Sequence, residues 1–273
     1  MRAKADLVYI SHRSPDPPTK IPRARIDALK AFAVATKTVH GQWALDGADR
    51  MMDFEKARLK MVESQIRTTD VTSHSLLNAF LAVPREAFVP EELKPLAYVD
   101  NDIEISPARD GHAKRYLMQA SPLAKLLQLA AVRKTDVVLE VGAGTGYASA
   151  LLSLIAGSVV ALECDEALAA KARDNLSTLG HGNVSVVTGP LEKGHAAGAP
   201  YDLIFVNGAV EQVSPDLLDQ LRDDGRLVAV QGFGNSARAS VFVRERGAIS
   251  ANTFFNASVK ALPGFAKPKE FVF

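Results

Sequence analysis

The stretch VVLEVGAGTGYASALLSLIAG, residues 137–157, constrains this chain more than any other. It opens on a short β-branched apolar run, passes three closely spaced glycines and continues as an Ala/Leu-rich segment at helical spacing. That pattern predicts a strand, a tight turn and a helix. Gly142, Gly144 and Gly146 let the backbone take φ > 0 and let a ligand lie against bare peptide. The first N–H groups of the helix then point at that ligand. A second strand, SVVALE, ends on Glu163, ~20 residues beyond the first glycine, where a nucleotide-binding βαβ unit places an acid to accept hydrogen bonds from ribose hydroxyls.

The glycine spacing also selects the nucleotide. A dinucleotide fingerprint needs a glycine where Tyr147 stands. Glu140, just before the loop, repels a pyrophosphate and attracts the cationic sulfonium and amino group of S-adenosylmethionine (AdoMet). The predicted cofactor residues are therefore Glu140, Val141, Gly142, Ala143, Gly144, Thr145, Gly146, Glu163 and Cys164. This pattern resembles the first motif of the class I AdoMet-dependent methyltransferases.

Charge and cysteine content narrow the partners. Lys and Arg (32) nearly cancel Asp and Glu (31), so no global field recruits nucleic acid or an anionic membrane. Neither partner is expected. No run approaches the ~18 apolar residues of a membrane span, and the start lacks a signal-peptide core. The single cysteine, Cys164, fits a reducing compartment, and a cytoplasmic location is expected. His112, His181 and His195 are not at metal-ligand spacing, so no metal is expected. Nothing in the chain sets an oligomeric state.

Residues 1–50 are rich in proline and basic residues at their start and read as a flexible extension, with Met51 and Met52 marking an alternative start. Residues 53–67 predict a surface helix with Phe54, Leu59, Val62 and Ile66 on its apolar face. Residues 69–82 predict a second, capped by its Asp/Ser/Thr-rich entry, buried through Leu76, Leu77, Phe80 and Leu81, and ended by Pro84. Within this part the order SQIR, VPREAFVP, AYVD and then the glycine motif resembles the protein-L-isoaspartate O-methyltransferases, from about Met52 to the strand near Val230.

The resemblance implies methyl transfer from AdoMet to the side-chain carboxylate of isoaspartyl residues in damaged proteins, whose ester returns through a succinimide to aspartate. It also locates two departures. Members carry a GQTIS segment whose serine lies by the methyl donor and the acceptor carboxylate; counting back from the glycine motif places Met118 there, and Ala120 after a two-residue shift. Ser121 is nearby, but Ser before Pro122 and an apolar run predicts an N-cap. Where members carry GDG to read the adenine edge, this chain has Gly189, Pro190 and Leu191, which leaves backbone and an apolar cover. Two alternatives stay open: an AdoMet-dependent O-methyltransferase with another acceptor, for which Lys114 and Arg115 are candidate clamps, and a non-catalytic AdoMet-binding protein.

The remaining pattern predicts a helix over residues 166–179 stopped at His181-Gly182-Asn183, a third strand over 183–189, and a fourth within 200–213. A helix over 217–221 capped by Gly225, a fifth strand and a hairpin around Gly247 follow, with one strand of the last two antiparallel. LPGF and the terminal FVF are expected to pack on the sheet. The fold class is α/β: a Rossmann-like, doubly wound, mostly parallel seven-stranded sheet with helices on both faces and an N-terminal helical layer. Three regions are expected: the extension (1–50), the helical layer with a substrate-side loop (51–122) and the AdoMet-binding core (123–273).

Overall fold

The computed structural model describes residues 53–109 and 111–266. The extension and the terminal FVF lie outside the described residues. The described residues form one compact unit.

Its frame is a seven-stranded sheet. The strands are β3 (Val137–Val141), β4 (Ser158–Glu163), β5 (Val184–Thr188), β6 (Tyr201–Val210), β7 (Leu221–Gln231), β8 (Arg238–Glu245) and β9 (Ala248–Asn256), in the order β5-β4-β3-β6-β7-β8-β9. The first five are parallel, and β8 alone runs against its neighbours. The turn into β9 puts Arg246 at φ 51° and Gly247 at φ 79°, the left-handed pair that a two-residue hairpin needs. Strand order reverses between β3 and β6, so the ends of these strands form the crevice in which such sheets bind ligands.

Period-two alternation sends residues to both faces. Val138, Leu203, Phe205, Val228 and Val230 join one buried cluster, and Leu139, Val141, Ile204, Val206, Leu227 and Ala229 join the other. Each such side chain contributes ~1.5–3 kcal/mol on burial. The first face carries α1 (Phe54–Met61), α2 (His74–Ala82), α3 (Ala120–Leu129), α4 (Tyr147–Ile155) and α5 (Glu166–Thr178). The second carries α6 (Pro215–Asp219), Leu191 and the C-terminal pair Leu262 and Phe265, so LPGF packs as expected. A small hairpin, β1 (Ile103–Ser106) with β2 (Arg115–Leu117), stands beside the sheet.

Several boundaries differ from the sequence reading. Leu59 is exposed, because α1 tightens its packing only at Met61 and then loosens into a π-helical turn, Val62–Ile66. At the entry to α2, the carboxamide of Gln128, not a capping hydroxyl, accepts from the N–H groups of Thr72 (2.7 Å) and Ser73 (3.1 Å). Ser121 is not an N-cap: α3 begins at Ala120 behind Gln119, whose N–H is held by Asp102 at 2.9 Å, so Ser121 and Pro122 lie inside the first turn. Gly180, at φ 77°, stops α5 one step before the predicted signal. The last helix starts earlier, at Pro215, capped by Ser214, and Gly225 falls within β7.

The N-terminal motif segments interlock. Gln65 donates to the Tyr98 carbonyl at 2.9 Å, and the Tyr98 hydroxyl donates to Glu86 while receiving from Arg58. Arg85, fully buried, donates to the carbonyls of Ala97 and Met118, both at 2.8 Å, and its guanidinium lies over the Tyr147 ring at 4.9 Å. Phe88 offers its carbonyl to Thr145 Oγ1 at 2.6 Å. SQIR, VPREAFVP and AYVD thus clamp one another, and through Met118 and Thr145 they clamp the crevice.

Candidate active site

The glycine loop adopts the conformation its sequence demands. Gly142, Gly144 and Gly146 have φ of 90°, 59° and 95°, a region costly for residues with a Cβ. The N–H groups of Gly142 and Ala143 both reach the Leu162 carbonyl, at 2.9 and 3.1 Å, which folds the loop over the end of β4. Gly146 then leads into α4. Thr145 and Val141 are buried, the Thr145 hydroxyl donating to the Phe88 carbonyl.

Glu163 ends β4 and Glu140 is the next-to-last residue of the neighbouring β3, both fully buried. Glu140 accepts from Ser149 Oγ and from Asn207 Nδ2 at 2.9 Å. Burial pushes its carboxyl up to about 7, against the opposing pull of those two hydrogen bonds. Glu163 is ion-paired with Arg115, itself buried, and accepts from the N–H of Gly144 at 2.7 Å, of Cys164 at 2.9 Å and of Asp165 at 3.1 Å. Burial, then the Glu163 charge beside it, push the Cys164 thiol up to about 11, so it is an inert thiol at neutral pH. Gly189 donates its N–H to the Glu163 carbonyl at 3.0 Å, and Leu191 is buried beside the second cluster.

One detail fits an incoming polar ligand: Asn207 Oδ1 is buried with no hydrogen-bond partner. The chain's own side chains hold the space between. A Cβ on Gly142 would stand 2.8 Å from Leu262 Cδ2, and one on Gly208 would stand 2.7 Å from Leu262 Cγ. A Cβ on Gly144 would meet Ile105 Cδ1 at 2.8 Å. Among the described residues, the crevice is bordered by a cavity of about 40 Å³ beside Cys164, Arg115 and Pro263 and one of about 10 Å³ beside Met118, Arg115, Asn207 and Leu262.

Of the predicted acceptor-side residues, Met118 is buried at that second cavity, whereas Ser121 sits half-buried in the first turn of α3. Lys114 is exposed and pairs with Glu104 at 3.0 Å, while Arg115 turns inward. Lys114 precedes β2, whereas Arg115 is its first residue and shares the buried side of the strand with Leu117. Sequence reasoning missed that Arg85 holds the Met118 carbonyl and that Leu262 lies on the glycines. Period-two placement in RYL was the one available signal, for Arg115. Among the described residues, no group of three His, Cys, Asp or Glu is placed to hold a metal.

A model of the family Protein-L-isoaspartate(D-aspartate) O-methyltransferase (PCMT) matches residues 56–259. The protein-L-isoaspartate O-methyltransferase of Koribacter versatilis (strain Ellin345) is 38% identical over 179 residues, covering 66% of this chain and 78% of that one. Protein-L-isoaspartate O-methyltransferase 1 of Rhodopseudomonas palustris (strain HaA2) is 39% identical over 194 residues, covering 71% and 77%. A solved protein-L-isoaspartate O-methyltransferase structure superposes with a TM-score of 0.66 at 27% identity, over 76% of this chain and 67% of that one. A Plasmodium falciparum structure in complex with S-adenosyl-L-homocysteine shares the fold, with a TM-score of 0.64 at 16% identity over 77% and 98%. With the match running through both the interlocked N-terminal segments and the glycine motif, the chain belongs to the protein-L-isoaspartate(D-aspartate) O-methyltransferase family, whose methyl donor is AdoMet.

Proposed function

We infer that this chain transfers the methyl group of AdoMet to the side-chain carboxylate of isoaspartyl residues in proteins. The family match over residues 56–259 carries that reading. The residue roles are part of the proposal. Glu163 takes the ribose hydroxyls, residues 142–146 and Gly189 present backbone, Leu191 covers the adenine face, and Glu140 places negative charge under the donor. Residues 51–122 form the layer that meets the acceptor, and 123–273 the cofactor core. A cytoplasmic location, without nucleic acid or membrane as partner, goes with it. No helix among the described residues is long and apolar enough to cross a membrane.

When bound, AdoMet supplies an electrophilic methyl on a cationic sulfur. The acceptor carboxylate, with a pKa near ~4, is ionised at neutral pH and needs no general base. An acceptor oxygen forms the O–CH3 bond as the S–CH3 bond breaks, its electron pair staying on sulfur, to leave a methyl ester and S-adenosylhomocysteine. This chain's residues act by holding the partners in line and excluding water, a part that falls to Ile105 and Met118 beside the crevice. A serine hydroxyl at position 118 would add ~1–3 kcal/mol of positioning, so its replacement by Met lowers the rate without removing the reaction.

The test is transfer of labelled methyl to a synthetic isoaspartyl peptide, with the aspartyl peptide as control. Alkali-labile label on the isoaspartyl peptide alone is expected; no label, in protein that binds AdoMet, overturns the reading. Met118 favours one alternative, an acceptor with a different carboxylate, and in that case label appears only on other acceptors.

A further inference from the structure

One oxygen of Glu163, Oε1, is a saturated acceptor. Its Oε1 takes the Arg115 guanidinium and the N–H groups of Cys164 and Asp165, and its Oε2 takes the N–H of Gly144. Each carboxylate oxygen offers about two lone-pair sites: Oε2 has room for one more donor, whereas Oε1 already carries three, so a ribose pair of hydroxyls that engages both oxygens finds room on Oε1 only when a donor leaves. The Cys164 and Asp165 N–H groups are held between the end of β4 and the cap of α5, where Asp165 accepts from Ala167 at 3.0 Å. Arg115 is the donor carried on a rotatable side chain.

Arg115 also stands at a boundary. Its Nη2 lies 3.4 Å from the place a Cβ on Gly142 would take, and its side chain lines both small cavities, the one beside Cys164 and the one beside Met118 and Asn207. Lys260, whose ammonium lies over the Tyr116 ring at 5.2 Å, is a second cation on the Met118 side. The carboxylate on that side, Asp102, is engaged with the Gln119 N–H.

We propose that Arg115 exchanges partners during turnover: it neutralises Glu163 until the AdoMet ribose takes that carboxylate, then turns to the Met118–Asn207 side and binds the acceptor carboxylate. The proposal rests on the function inferred above. A guanidinium released inside a closed crevice needs a new anion, because an unpaired buried charge is strongly disfavoured. Cofactor binding therefore creates the acceptor site, and the acceptor binds second. Arg115 then supplies the carboxylate contact that Met118 lacks.

Two measurements test it: AdoMet affinity by titration calorimetry, and isoaspartyl-peptide binding with and without S-adenosylhomocysteine. Wild type should bind the peptide at least tenfold more tightly with S-adenosylhomocysteine present. Arg115→Gln should leave AdoMet affinity equal or several-fold tighter, while peptide KM rises at least tenfold and kcat changes less. Arg115→Lys, which keeps a cation on Glu163 and serves if the glutamine variant does not fold, should raise peptide KM less and spare AdoMet affinity. Weaker AdoMet binding with unchanged peptide KM would make Arg115 a pillar of the fold and overturn the exchange, as would peptide binding indifferent to cofactor. If wild type methylates no isoaspartyl peptide, the acceptor assignment falls with the inferred function, and AdoMet affinity in Arg115→Gln still decides the exchange on Glu163.

Discussion

Glu140 and Glu163 stand near the C-terminal ends of adjacent strands, yet their surroundings treat them differently. Glu163 is met by a guanidinium and three backbone N–H groups, while Glu140 has only the Ser149 hydroxyl and the Asn207 amide. Burial raises Glu140 from its ordinary 4.5 to about 7. The folded state therefore keeps a proton that the unfolded chain releases in between, and stability falls as pH rises from about 4.5 to about 7. Glu140→Gln should remove that slope from urea midpoints measured across this window. A cation beside Glu140 reverses its preference, so AdoMet binding near pH 6.5 should release a proton. Calorimetry in buffers of different ionisation enthalpy reads this directly: buffer-dependent heats in wild type and buffer-independent heats in Glu140→Gln are expected. Equal heats in wild type would mean that Glu140 does not sense the donor.

At the scale of elements, the end of β6 is shared. Its register against β7 slips between Phe205 and Ala209, and Ala209, paired with Val230 on one side, also pairs with the C-terminal segment, donating to the Lys260 carbonyl at 2.9 Å and accepting from the Leu262 N–H at 2.8 Å. That pairing delivers Leu262 onto Gly142 and Gly208, so the segment is a cover over the crevice held by two backbone hydrogen bonds. Leu262→Ala should lower stability by ~2–4 kcal/mol through the lost packing and tighten AdoMet binding by vacating the crevice. Hydrogen exchange at Ala209 and Leu262 should quicken when AdoMet binds wild type, while β3 stays protected; unchanged exchange would show that the cover does not move. The strands and helices themselves were legible in the sequence, since β3, β4 and the hairpin follow period-two and glycine signals. Ser121 and Gly225 misled because both carry local turn chemistry that neighbours override: Asp102 holds the start of α3, and β7 pairs with β6 from Leu221 onward.

Across the molecule, Arg85 ties the N-terminal layer to the crevice. It binds Ala97 and Met118 carbonyls and covers Tyr147 at the start of α4, so three distant stretches share one buried side chain. Arg85→Met keeps the volume and leaves both carbonyls without a donor, a loss of ~2–5 kcal/mol. Peptide KM should rise as Met118 loosens, with AdoMet affinity changed far less; equal losses on both sides would place Arg85 in the cofactor site itself.

The chain's local patterns determined the βαβ unit, the glycine turn, the acid at the end of β4 and the family, because backbone conformation and strand alternation are set within a few residues. The family resemblance points to Met118, or to Ala120 after a two-residue shift, where members carry a serine. Only the tertiary structure decided what faces what: that Arg115 turns inward to Glu163 while Lys114 stays in solvent, that Leu262 returns from 120 residues away to lie on Gly142, and that Arg85 grips Met118. Those pairings join residues remote in the chain, and they are chosen by which charges and carbonyls must find partners once water has been removed from the crevice.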